Sequence, residues 1–175
     1  ATHGTMTLAV NTLLMQLFTL FSYVMDGFAN AGEALCGKYT GADDRGAFFA
    51  TVKRLFAWGA ALTVAYTAVY ALGGSAFLAL LTDDSQVLHA AGEYMPWAIA
   101  IPAAGVAAFV WDGVFIGTTD TRGMLVSSAV SALLFFGIYF LASPTLHNHG
   151  LWFAFIAYLL ARGVVQTIIF RNKNR

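Results

Sequence analysis

Asp26, Asp112 and Arg162 carry charge inside runs of sequence that are otherwise almost wholly apolar. A charge at the centre of a bilayer costs about 2.5–3.5 kcal/mol even on the lenient insertion scale, so such residues face a bundle interior or a wet cavity and mark ion or substrate pathways. A carboxylate in that setting is suited to cation coupling. Burial penalises its charged form, so it can take up a proton, or it can hold Na⁺ together with carbonyl and hydroxyl oxygens. Either event changes the net charge of the cavity. That change biases one helix arrangement over another, provided the two bind the cation differently. Asp112 and Asp26 are therefore the candidate proton- or cation-coupling residues.

At 1.5 Å per residue, Asp26 lies roughly 18 Å along a helix from Lys38, and Asp112 roughly 15 Å from Arg122. Both acids are thereby expected near mid-bilayer, at similar depth on two different helices. Arg162, about 13 Å from Arg171 on the same count, reaches the depth of either acid. An Asp112–Arg162 or an Asp26–Arg162 pair would simply pin helices together, and the residues alone leave that reading open beside the coupling one. Arg162 itself is expected as an ion-pair partner or as a side chain snorkelling to the interface. Glu33, seven residues after Asp26, is expected at the interface.

The elements that hold these groups follow from composition. The chain is 59% hydrophobic and 10% charged, with mean hydropathy +0.70. A soluble domain carries about 25% charged residues, so this composition belongs to an integral membrane protein. Five apolar stretches are long enough to cross about 30 Å of hydrocarbon as helix. They cover about 7–36, 55–81, 95–117, 124–142 and 150–170. Helices satisfy their own backbone groups in lipid, and the runs lack the alternation of barrel strands. The expected fold is all-α, with five transmembrane helices.

The connecting segments set the orientation. The first, 37–54, holds Lys38, Arg45, Lys53 and Arg54; the second, 82–94, has no Lys or Arg and carries Asp83, Asp84 and Glu93. The third, 118–123, holds Arg122, the fourth, 143–149, has no Lys or Arg, and the tail holds Arg171, Lys173 and Arg175. This alternation is what the positive-inside rule predicts, with the N-terminus outside and the C-terminus cytoplasmic. An outside N-terminus without a signal segment needs a preceding helix. With Ala1 in place of Met, the chain is therefore expected to be a piece lacking at least one upstream helix. A faint echo links Asp26-Gly27 followed by Asp43 to Gly46 with Asp112-Gly113 followed by Asp120 to Gly123.

Other signals are weaker. Pro102 is expected to kink the third helix or free a carbonyl there. Gly113 and Gly117 form a GxxxG, read as close helix packing. Trp97 and Trp152, at outer helix ends, are expected as interface anchors. His147 and His149 are too few for a metal site. The single Cys36 rules out an intrachain disulfide. The basic tail is short and is explained by topology rather than by nucleic acid. Walker, nucleophile-elbow and HExxH motifs are absent, so ATP-driven transport and an enzyme reading have no support.

The segments "LAVNTLLMQLFTLFSYVMDGFANAGEALCGKYTGADDRGAF" and "FVWDGVFIGTTDTRGML" resemble the C-terminal lobe of the MATE (multidrug and toxic compound extrusion) transporters, in particular the DNA-damage-inducible protein F branch. The resemblance runs over nearly all of the chain. It implies twelve helices in two six-helix lobes, of which this chain would hold the eighth to twelfth. The partners implied are the lipid bilayer, the missing N-terminal lobe and seventh helix, and small-molecule drugs or toxins. The activity implied is export of organic cations or amphipathic toxins in exchange for H⁺ or Na⁺, from a bacterial plasma (inner) membrane. No cofactor beyond that coupling ion is implied. Asp112 matches the family's tenth-helix acid, which places Na⁺ there in Na⁺-coupled members; Asp26 corresponds to an acid of the eighth helix near the central cavity. The alternative is a non-transporting membrane scaffold or assembly subunit whose intramembrane ion pairs are structural.

Overall fold

Three of the four connections between helices are closed by an aspartate. A computed structural model describes residues 2–174, with side chains from residue 4 onward. Ala1, at the expected outside N-terminus, and Arg175, in the basic tail, lie outside the described residues. The described chain is five helices: α1 (Thr2–Gly41), α2 (Arg45–Leu81), α3 (Ser85–Gly117), α4 (Thr121–Leu146) and α5 (Asn148–Lys173). All five are long and apolar enough to cross a membrane.

The helices are longer than the apolar runs, and the connections correspondingly shorter. The expected connections at 37–54 and 82–94 are corrected to Ala42–Asp44 and Thr82–Asp84. Asp44 accepts from the Ala47 N–H, Asp84 from Gln86 and Val87, and Asp120 from Gly123. Each cap satisfies backbone donors that a helix start leaves free, so the next helix begins at once. Lys53 and Arg54 therefore lie on α2, and Glu93 on α3. α4 also runs past its expected end at 142, through Pro144 to Leu146. The charge alternation survives: among the described residues every Lys and Arg except Arg162 belongs to the end shared by the α1/α2 turn, the α3/α4 turn and the end of α5.

Of the faint echo, only the two turns are structurally equivalent, one residue out of register; Asp26-Gly27 and Asp112-Gly113 stand at different distances from their helix ends. In the first turn Ala42 N–H bonds to Lys38 O, Asp43 to Thr40 and Asp44 to Tyr39; in the second Thr118 bonds to Val114, Thr119 to Ile116 and Asp120 to Phe115. Asp43 and Thr119 both take the left-handed conformation, at φ 50° and 57°. Asp44, rather than Asp43, is thus the counterpart of Asp120.

α3 is the central element and packs against α1, α2 and α5, while α4 leans chiefly on α5. Small residues on α3 make this closeness. A Cβ on Gly113 would lie 2.3 Å from the Ala29 carbonyl oxygen, and one on Gly117 would lie 2.5 Å from that of Glu33. The expected packing role of the GxxxG is met, with α1 as the partner. α1 answers with a buried stripe of Val10, Leu14, Leu17, Phe21 and Met25. Tyr70 of α2 donates its hydroxyl to the Leu17 carbonyl. α3 continues as one helix through Pro96 and Pro102, and Pro102 is buried. The outward side of α4 is apolar between its ends, with Leu125, Leu133, Phe140 and Leu141 at least 70% exposed.

Candidate functional site

Gly163 determines where α5 meets α3. A Cβ there would come within 2.7 Å of the Ala107 side chain, so only a glycine lets the helices approach this closely. Arg162 and Gln166 flank that contact four residues apart, on one helix face. On α3, Trp111 is buried and donates its indole N–H to Thr167 Oγ1 at 2.8 Å. Its ring packs on Phe56 and Phe170 at centroid distances of 4.9 and 4.4 Å. These contacts fix the α3 backbone beside Asp112.

Asp112 is where the two helices exchange charge. Arg162 Nη2 lies 2.9 Å from Asp112 Oδ2 and 3.0 Å from Oδ1, and Gln166 Nε2 donates to Oδ1 at 2.7 Å. The Asp112 and Arg162 side chains are 17% and 23% exposed. Gln166 is fully buried, and its Oε1 and Arg162 Nε have no hydrogen-bond partner. The carboxylate is thus matched by one guanidinium and one amide, with an acceptor and a donor left over in the same buried space. A cation arriving at Asp112 must compete with Arg162 for the carboxylate oxygens.

The other candidate residues fall differently. Asp26 is exposed on the outward face of α1 and has no ion pair with Arg162, so of the two pairings left open the structure forms Asp112–Arg162. Asp26 nevertheless lies close enough for its charge to act on Asp112. The Gly113–Ala29 contact keeps the two acids at neighbouring heights. The expected depth of Asp112 is shortened: α3 ends at Gly117, so the count to Arg122 ran through a reversing turn, and Asp112 stands about 7–8 Å from the helix end. Glu33 is half-buried where α1 meets Gly117.

At the opposite end, His149 accepts from the Trp97 indole N–H at 3.0 Å and lies 3.3 Å from Glu93. No group of three metal-ligating side chains occurs among the described residues. Trp152 corrects its expected interface role: it is 2% exposed and donates to Asn11 Oδ1 at 2.9 Å. Asn11 and Asn148 exchange two amide hydrogen bonds beside it. Gln166 is a site residue that the sequence signals only by its spacing, an amide four residues from an intramembrane arginine.

The MatE family profile matches residues 1–141. The chain is 36% identical over 169 residues to DNA damage-inducible protein F of Escherichia coli (strain K12), covering 97% of this chain and 37% of that protein. It is 26% identical over 165 residues to Protein DETOXIFICATION 42 of Arabidopsis thaliana, covering 94% of this chain and 32% of that protein. The chain thus spans about a third of the length of the curated relatives it matches. No solved structure matches it.

Proposed function

The chain belongs to the MatE family, and on that premise we propose that it forms part of a secondary active multidrug antiporter. Family members are transporters, not enzymes. The substrates proposed are organic cations or amphipathic toxins, exported against inward H⁺ or Na⁺ by alternating access. The rest of the transporter, including an N-terminal lobe and a seventh helix, would supply the other wall of the path. The bilayer proposed is a bacterial inner membrane, with the basic end of the bundle cytoplasmic.

The observation that carries this reading is the half-buried Asp112 carboxylate, held by Arg162 and Gln166 of a neighbouring helix. With Arg162 engaged, the site is neutral and closed. A proton or Na⁺ taken up by Asp112 frees the guanidinium, so the link between α3 and α5 depends on the coupling ion. A ligand that discriminates between two arrangements in this way shifts their populations. Asp26 adds a second negative charge on the cation's approach. Replacing Asp112 by Asn in the intact transporter tests the assignment through efflux of an organic cation from cells. Export should fall to the background of cells lacking the protein; undiminished ion-coupled export removes Asp112 from the mechanism.

The closed Asp112–Arg162 pair favours one other reading, a membrane scaffold or assembly subunit in which the pair is glue. In that case Asp112→Asn lowers protein level or thermal stability and no flux changes.

A further inference from the structure

We propose that a cavity at the basic end of the bundle binds a zwitterionic headgroup with a primary ammonium and a phosphate two carbons apart, the chemistry of phosphoethanolamine. The cavity, of about 310 Å³, lies between the Ala42–Asp44 turn, the Thr118–Asp120 turn and the last turn of α5. Drug-sized ligands occupy pockets of about 300–1,000 Å³, so this space is at the lower limit and suits a headgroup better than a bulky toxin. Its wall is aromatic: Phe170 of α5 meets Phe48 and Phe49 of α2, each at 6.1 Å between ring centroids.

The charges around it are of both signs. The Asp43 and Arg45 side chains line the cavity without an ion-pair or hydrogen-bond partner among the described residues. Lys173 sits 2.6 Å from Asp120 and is 57% exposed, leaving donors free. Arg45 and Lys173 suit a phosphate, Arg45 through its planar fork. Asp43 and the aromatic faces suit an ammonium. A purely anionic ligand would meet Asp43, Asp44 and Asp120; a purely cationic one would meet Arg45 and Lys173. A ligand carrying both charges answers both halves. A primary ammonium also donates hydrogen bonds to a carboxylate, which a quaternary one does not. The cavity lies where the helices pass from apolar to charged sequence, the depth at which lipid headgroups are recognised between transmembrane helices.

The test uses the purified intact transporter in detergent, with short-chain phosphatidylethanolamine, phosphatidylcholine and phosphatidylglycerol as probes. Retention is read by native mass spectrometry. Phosphatidylethanolamine should be retained several-fold more than the other two. Arg45→Gln and Asp43→Asn should each reduce that retention several-fold, while the lipid-free thermal midpoint stays at the wild-type value. Competition by soluble phosphoethanolamine shows that the headgroup alone suffices; preference without competition identifies the lipid as the source. Equal retention of all three lipids, preference for phosphatidylglycerol, or preference untouched by both variants overturns the proposal.

Discussion

Arg162 Nη2 stands 2.9 Å from Oδ2 of Asp112, joining α5 to α3 inside a bundle whose other inter-helix contacts are largely apolar. Removing Arg162 leaves the half-buried Asp112 charge with only the Gln166 amide as partner, which costs on the order of 3 kcal/mol, more than a matched pair returns relative to apolar side chains. Arg162→Met should therefore destabilise the intact protein by about that amount. The double variant Asp112→Asn with Arg162→Met should recover most of the loss. Thermal unfolding of the four proteins in detergent measures the coupling. Additive losses would mean that the pair contributes nothing as a pair.

Glycine at 113 is a packing requirement. A Cβ would be 2.3 Å from the Ala29 carbonyl oxygen, and the atom in the way is backbone, which cannot swing aside. Gly113→Val should force α1 from α3 at a cost of about 3 kcal/mol, seen as a lowered thermal midpoint and reduced protein in membranes. Gly73→Ala is the control: nothing lies within 4 Å of its Cβ, and an alanine favours the helix by about 1 kcal/mol.

The spans were legible in the sequence because twenty-residue apolarity is dictated by bilayer thickness. Their ends were not, because a hydropathy reading stops at the first charges, whereas Asp44, Asp84 and Asp120 start helices by capping them. The charged pair was legible only as one of two options. Depth along a helix says how high Asp26, Asp112 and Arg162 sit but nothing of the direction each faces. The Gly163 and Gly113 contacts decide that direction. Trp152 misled for a related reason: its position at a helix end suggested the interface, yet a partner amide on α1 takes it inside.

Asp120 makes the basic end acid-sensitive. Burial pushes its carboxyl up, but the hydrogen bond from Lys173, the Gly123 N–H and the Lys173 charge outweigh that and hold it below the usual carboxylate range. A carboxyl depressed in the folded state adds stability that is present above its unfolded value, about 3.9, and is lost as pH falls through the folded one. The stability advantage of wild type over Asp120→Asn should hold from pH 7 to 5 and shrink below about pH 4. Thermal midpoints across that range check it, and an advantage unchanged at pH 3 would sink the assignment.

The outward face of α1 differs in kind from that of α4. Thr12, Gln16, Tyr23, Asp26 and Asn30 recur at intervals of three, four or seven residues, on one helix face, and are all exposed, while α4 exposes Leu125, Leu133, Phe140 and Leu141. A side chain at membrane depth that faces lipid should be apolar, so the α1 face belongs to water or to another part of the transporter. Cysteine substitution separates those cases. In the intact protein with the native Cys36 replaced by Ala, Asp26→Cys and Asn30→Cys should react with a hydrophilic thiol reagent at least tenfold faster than Leu133→Cys, because hydrocarbon excludes both the reagent and the reactive thiolate. Slow labelling at both α1 positions would mean that this face is packed dry against the rest of the transporter. Asp26 would then leave the coupling pathway, and Asp112 would remain as the carboxylate open to the coupling ion.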